Sequence, residues 1–348
     1  MPARPRLVAT LGNDAFTRAE DVVVRRIRTA SFDGDLAVVG IQACLGSGHQ
    51  AEVRTGLRFF DVTHPRHPVL LASWLLPVGA IGCHEVDLVQ RRDGLVLAGC
   101  ARQLQDQVQG TTELPGGVQI VDATDPANPV SRAAWQLPLE STAGIGCLPV
   151  RFAHSFRFVA GGFGAYVSYW DSGTVHLDLA NPAAPAVLGV THVAPPDEDG
   201  DNHSMTLANR GRWLVINQED FSPTACMGEQ LAGWGNVWVF DAARSTLVGQ
   251  FSTRDSRSTR TDGNYTVHNT EVVFDRQFFS SWYSDGIVWW TMSDRGAARQ
   301  LGRFAPPRAA PLGVPLVWGV AVDRVHRVVL ASDIGTGLWL VRPRGLRL

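Results

Sequence analysis

GLRFFDVTHPRHP at residues 56–68, GVQIVDATDPANP at 117–129 and GTVHLDLANPAAP at 173–185 superimpose without a gap. Each opens on Gly, runs through five strand residues that end in Asp, and passes into a turn closed by two prolines. Proline has no backbone donor, so a ladder must stop where those turns begin. Weaker copies follow in NVWVFDAARS (236–245), GIVWWTMSDRG (286–296) and GLWLVRPRG (337–345). A repeat of roughly fifty to sixty residues, at the upper end of the range, belongs to propellers and arrays, in which each unit buries its apolar faces against its neighbours.

Within each period an innermost strand, a short Gly or Asp turn, a second strand, the Gly-led third strand and a fourth strand follow in order. Four antiparallel strands per repeat predict an all-β six-bladed β-propeller, with seven blades as the alternative count. First strands fall near residues 24, 84, 154, 203, 268 and 317. The sixth repeat ends after its third strand, and RLVATLG (6–12) is expected to supply the fourth and leave no open edge. One domain, 1–348, follows. DAFTRAEDVVVRRI (14–27) has an ambiguous period that also fits a short helix.

The third-strand repeats resemble the LVIVD-repeat β-propeller family, whose signature runs Gly, alternating aliphatics, Asp and a Ser/Asp-Pro-x-x-Pro turn. The resemblance is strong in the first three repeats and covers most of the chain. It implies a propeller and carries no agreed catalytic set, so function must be argued from a site.

With 348 residues, 45% hydrophobic content, 18% charge and a net charge of -2, the composition is that of a globular protein able to bury a large core. No basic stripe is present, so neither nucleic acid nor an anionic membrane is expected as a partner. All 31 basic side chains are arginine, which removes Schiff-base lysines and the phosphate-loop lysine. No apolar run is long enough for a signal peptide or a membrane span, and a cytoplasmic protein is the expectation. The five cysteines include no CxxC pair, and reduced thiols fit that number and spacing best. There is no nucleophile elbow, HExxH or complete GxGxxG.

Loop length sorts the two faces of the predicted propeller. Turns between first and second strands are short, whereas 44–55, 102–116, 139–150 and 218–235 are long and fall on one rim, where binding is usually built. CHEVDLV, AHSFRFV, NHSMTLA and TVHNTEVVF place His84, His154, His203 and His268 in one phase, at the start of the innermost strands of repeats two to five. Trp318 holds that position in repeat six, and the first repeat has it near Arg26. Four imidazoles converging at a channel mouth predict a divalent transition metal such as Fe, Cu or Zn. Wet channel mouths also hold histidines that only hydrogen-bond strand ends. Glu85, Asp201 and Glu271 are close in sequence and could orient the imidazoles, or could simply pair with arginines.

The expected function is a metal-dependent enzyme, an oxidoreductase or oxygenase acting on a small-molecule substrate at the channel mouth, with Glu85, Glu271 and Trp318 as catalytic candidates. The layout is similar to that of carotenoid-cleavage oxygenases, whose propeller holds iron on four inner histidines. It also resembles the six-bladed lactonases, which implies a hydrolase with oxygen ligands such as Glu85, Asn202, Asn269 and Glu271. A non-catalytic propeller that offers its rim loops to a partner is the remaining alternative.

Overall fold

A computed structural model describes residues 5–12, 14–44, 47–49, 52–102, 116–138, 151–193, 200–221, 234–258, 260–308 and 312–345. These residues form six antiparallel sheets in chain order, and the fold is a six-bladed β-propeller rather than the seven-bladed alternative. No helix among them is long and apolar enough to cross a membrane.

The chain divides into two compact units, one of Arg6–Ala143 with Val150–Val190 and the other chiefly Thr191–Leu348. The first unit holds three blades. They are β1 (Thr17–Arg28) to β4 (Val69–Leu75) with β2 (Asp33–Ala43) and β3 (Gly56–Asp61), β5 (Val86–Gln90) to β8 (Val130–Trp135) with β6 (Val96–Ala101) and β7 (Val118–Asp122), and β9 (Ser155–Val159) to β12 (Ala186–Thr191) with β10 (Gly164–Ser168) and β11 (Thr174–Asp178). The ambiguous segment at 14–27 is therefore strand β1.

The second unit holds β13 (Asn202–Ala208) to β16 (Thr246–Phe251) with β14 (Trp213–Gln218) and β15 (Val237–Asp241). Next come β17 (Thr270–Phe274) to β20 (Ala298–Phe304) with β18 (Gln277–Trp282) and β19 (Gly286–Met292), then β21 (Val317–Asp323), β22 (Val328–Asp333) and β23 (Gly337–Val341). Among the described residues the sixth sheet has these three strands only. Residues 6–12, expected as its fourth, form no strand. The segment buries none of its apolar side chains, Leu7 being 87% exposed, so no packed face anchors it as a strand.

The repeat signature has a direct physical cause. The strand-ending Asp61, Asp122 and Asp178 each accept a hydrogen bond through Oδ1 from the backbone N–H two residues on, at 2.9, 2.8 and 2.7 Å, which turns the chain out of the ladder. Gly56 has φ +138°, and a Cβ there would lie 2.3 Å from the Trp74 carbonyl oxygen. Middle strands β6, β7, β10 and β14 are buried at every residue. They lose the usual in-out alternation because both faces of a blade pack on neighbours. Leu57 and Phe59 of the first blade thus share a core with Val86, Leu88, Val96 and Ala98 of the second. Trp282 and Trp290 are fully buried between blades four and five.

Cys83 and Cys100 form a disulfide, a correction to the expectation of reduced thiols. The cause is cross-strand register: Val86 of β5 pairs with Cys100 of β6, and the His84 N–H donates to the Ala101 carbonyl at 2.8 Å, which brings Cys83 alongside. Their Cα atoms are 5.2 Å apart. Such a pair, 17 residues apart without a motif, is invisible to spacing rules. Cys147 and Cys226 lie outside the described residues, as does most of 102–116, 139–150 and 218–235.

Candidate metal centre

The shared phase of the histidines is written in backbone hydrogen bonds. The N–H groups of His84, His154 and His268 donate to the carbonyls of Ala101, Ser168 and Ser281, each at or next to the end of its blade's second strand, at 2.8 to 2.9 Å. His203 lies within β13, where the ladder shifts register between Asn202 and Ser204. Trp318 occupies the same kind of break in β21, between Val317 and Gly319. A bulge re-aims the side chain of its extra residue, which explains why both depart from strict alternation. All four histidines are at least 96% buried, far below what an incidental polar residue at a wet rim would show.

In the second unit, His203, Glu219 and His268 bring one donor atom each to within 4.8 Å of one another. His203 Nε2 lies 3.5 Å from Glu219 Oε2, and His268 Nε2 lies 3.7 Å from Glu219 Oε1. These separations are long for hydrogen bonds. Donors held about 2.1 Å from a tetrahedral ion stand roughly 3.4 Å apart, so the spacing suits a metal better than direct pairing. The two imidazoles are 4.0 Å apart between ring centroids, and the Trp318 indole meets His268 edge-on at 5.4 Å. Trp318 thus stands beside a candidate ligand, as its phase predicts.

Glu219 was not legible as a site residue. It follows β14 directly, at the start of the long segment 218–235, and its N–H donates to the Asp201 carbonyl at 2.9 Å. Tyr283, also unforeseen, donates its phenol O–H to Glu219 Oε1 at 2.5 Å. Asp201 therefore supports the site through its backbone. Glu271, the expected carboxylate, is half-buried on β17 and does not belong to this donor group. Asn202 turns its amide back to the Gly200 carbonyl at 3.0 Å.

In the first unit, His84 and His154 meet edge to face at 4.3 Å, and Trp170 lies 5.1 Å from His154. His84 Nδ1 is 3.4 Å from Glu20 Oε1 and 3.3 Å from Gln42 Oε1. Arg18 pairs with Glu20 at 2.6 Å and donates to Gln42 Oε1 at 3.0 Å. Burial, then the neighbouring His154, then Arg18, hold the His84 imidazole well below its ordinary pKa, so it is neutral and able to ligate near pH 7. Burial is also the main reason why the Glu20 carboxyl is pushed up to about 7.

Glu20 falls where the β1 ladder shifts register, between Ala19 and Val22. The first-blade position in phase with the histidines is therefore at Arg18 to Glu20. Arg26, expected there, lies near the far end of β1 and pairs with Asp33 at 2.6 Å. Glu85 is buried and pairs with Arg157 of the next blade at 3.1 Å. Two of the four expected ligands belong to each unit; Glu20 of β1 and Glu219 after β14 lie 3.4 and 3.5 Å from His84 and His203, and Glu85 brings a carboxylate oxygen to within 4.8 Å of His154.

No family model matches the chain, and no curated protein matches it. Solved structures do. The Pseudomonas aeruginosa periplasmic gluconolactonase superposes with a TM-score of 0.57 at 13% identity, covering 86% of this chain and 75% of that one. The β-propeller domain of Cps50 (Swd1) from Myceliophteria thermophila gives 0.52 at 11% identity, over 95% and 88%. A chain of the COPII outer coat vertex on membranes gives 0.56 at 10% identity, over 90% and 82%. A lactonase, a β-propeller domain of another kind and a coat-vertex chain match almost equally well, so the likeness is one of fold.

Proposed function

We propose that this propeller is a metal-dependent enzyme, in which His203, Glu219 and His268 hold a divalent transition metal and a small organic substrate reaches it. The observation that carries the reading is the buried triad, with nitrogen and carboxylate donors spaced at 3.5 and 3.7 Å. Two imidazoles and one carboxylate favour Fe, Cu or Zn over calcium or magnesium, which take oxygen donors. Two histidines and a carboxylate are also the donor set of non-haem Fe(II) oxygenases, which supports oxidoreductase chemistry. In that chemistry this chain's own residues orient the ligands and exclude water.

A second reading is metal-assisted hydrolysis of a small lactone, favoured by the likeness to the periplasmic gluconolactonase. The same triad would then act as a Lewis acid towards a carbonyl oxygen. The disulfide supports maturation in an oxidising compartment, where such bonds persist. Reconstitution with Fe(II) and with Zn(II), followed by assays of oxygen uptake and of lactone opening, separates the two chemistries. Oxygen uptake with Fe(II) alone supports the first, lactone opening with Zn(II) the second, and no uptake of either metal leaves a non-catalytic scaffold.

A further inference from the structure

The turns between second and third strands of blades three and five are related by the repeat. SYWDSGTV (168–175) aligns with SWYSDGIV (281–288), so Trp170 and Tyr283 are equivalent positions. Both adopt left-handed backbone, with φ of 46° and 32°. That region is strained for a bulky side chain, and in ordinary turns Gly or Asn takes it. Both aromatic rings rest near the histidine of their own blade, Trp170 at 5.1 Å from His154 and Tyr283 at 5.5 Å from His268. A strained conformation kept twice for the same contact calls for a functional cause.

At Tyr283 the contact is more specific. The residue is buried and its carbonyl accepts from the N–H groups of Val317 and Gly286, which fixes the turn. Its hydroxyl donates to Glu219 Oε1, and Phe221 closes on the ring edge-on at 5.5 Å. Glu219 Oε2 is the oxygen nearer His203. One oxygen is thus occupied by the phenol while the other is turned to an imidazole.

We infer that Tyr283 is the positioning residue of the candidate metal centre, setting the rotation of the Glu219 carboxylate so that it meets an ion held by His203 and His268. This rests on the metal reading above. Ligand-orienting partners of this kind typically change metal affinity 10- to 100-fold when removed. Tyr283→Phe deletes the hydroxyl and keeps the ring. Tyr283→Trp installs the side chain found at the equivalent position 170 and moves the donor.

The test is titration of metal-stripped protein with Co(II), followed by its visible absorption, for wild type, Tyr283→Phe and Tyr283→Trp. Both variants should stay folded without metal, as circular dichroism reads, bind Co(II) roughly tenfold or more weakly, and show a shifted absorption band because the carboxylate meets the ion differently. Equal affinity and an identical spectrum in a folded variant overturn the role of Tyr283. If wild type takes up no Co(II), the metal reading itself falls and the inference falls with it, an outcome distinct from equal binding by both proteins.

Discussion

At the scale of single residues, burial separates two kinds of titrating group in the first unit. Glu20 has a folded pKa raised from 4.5 to about 7. Its contribution to stability is therefore fully present below pH 4.5 and is lost as pH rises through about 7, an effect on the order of 3 kcal/mol. His84 behaves in the opposite sense: its lowered pKa gives stability that is present above the ordinary histidine range and is lost as pH falls. Glu20→Gln should remove the first component. Urea unfolding at pH 5 and pH 8 should find the wild type losing stability relative to this variant as pH rises; parallel curves would contradict the assignment.

Residue identity was the part of the site most legible in the sequence, and carboxylate partnership the least. Four histidines stand in one phase because each follows the same turn, and a period can be read. Glu219 and Glu20 reach the imidazoles through a loop start and a register break, and neither has a repeating signature. Arg26 failed as the first-blade position because β1 starts as early as Thr17 and runs to Arg28, which leaves Arg26 near the far end of the strand. Glu85 and Glu271 were both close to histidines in sequence, yet Glu85 brings a carboxylate oxygen to within 4.8 Å of the His154 imidazole, whereas Glu271 belongs to no such donor group among the described residues. Adjacency therefore predicts separation as often as contact.

At the scale of elements, the strand-ending aspartates and the Gly-led third strands explain why the first three blades were so easily recognised. Gly56→Ala should destabilise the protein by about 1 to 3 kcal/mol, because its φ of +138° and the Trp74 carbonyl leave no room for a Cβ. A urea midpoint unchanged by the substitution would contradict this account. The Cys83–Cys100 link ties the segment carrying His84 to β6. A peptide map of non-reduced protein should recover these two cysteines as one cross-linked species, and recovery of both as free thiols would exclude the bond. The expected closing strand at 6–12 shows the limit of pattern matching: RLVATLG has strand composition, yet none of its apolar residues finds a buried face.

At the scale of the whole molecule, the propeller fold follows from the repeat, while the chemistry follows from what each blade places at the start of its inner strand. Blade packing is independent of the candidate ligands, since the cores of neighbouring blades are made of buried aliphatic and aromatic side chains. Losing an imidazole should therefore remove the metal without unfolding the sheets. The most direct test is elemental analysis of protein purified without a histidine tag, for wild type and for His203→Ala and His268→Ala, with circular dichroism as the control for folding. The account predicts about one equivalent of Fe, Cu or Zn per wild-type chain, lost in both variants with the β-sheet spectrum retained. A wild type that stays metal-free even after reconstitution, or variants that keep the metal in full, would contradict it.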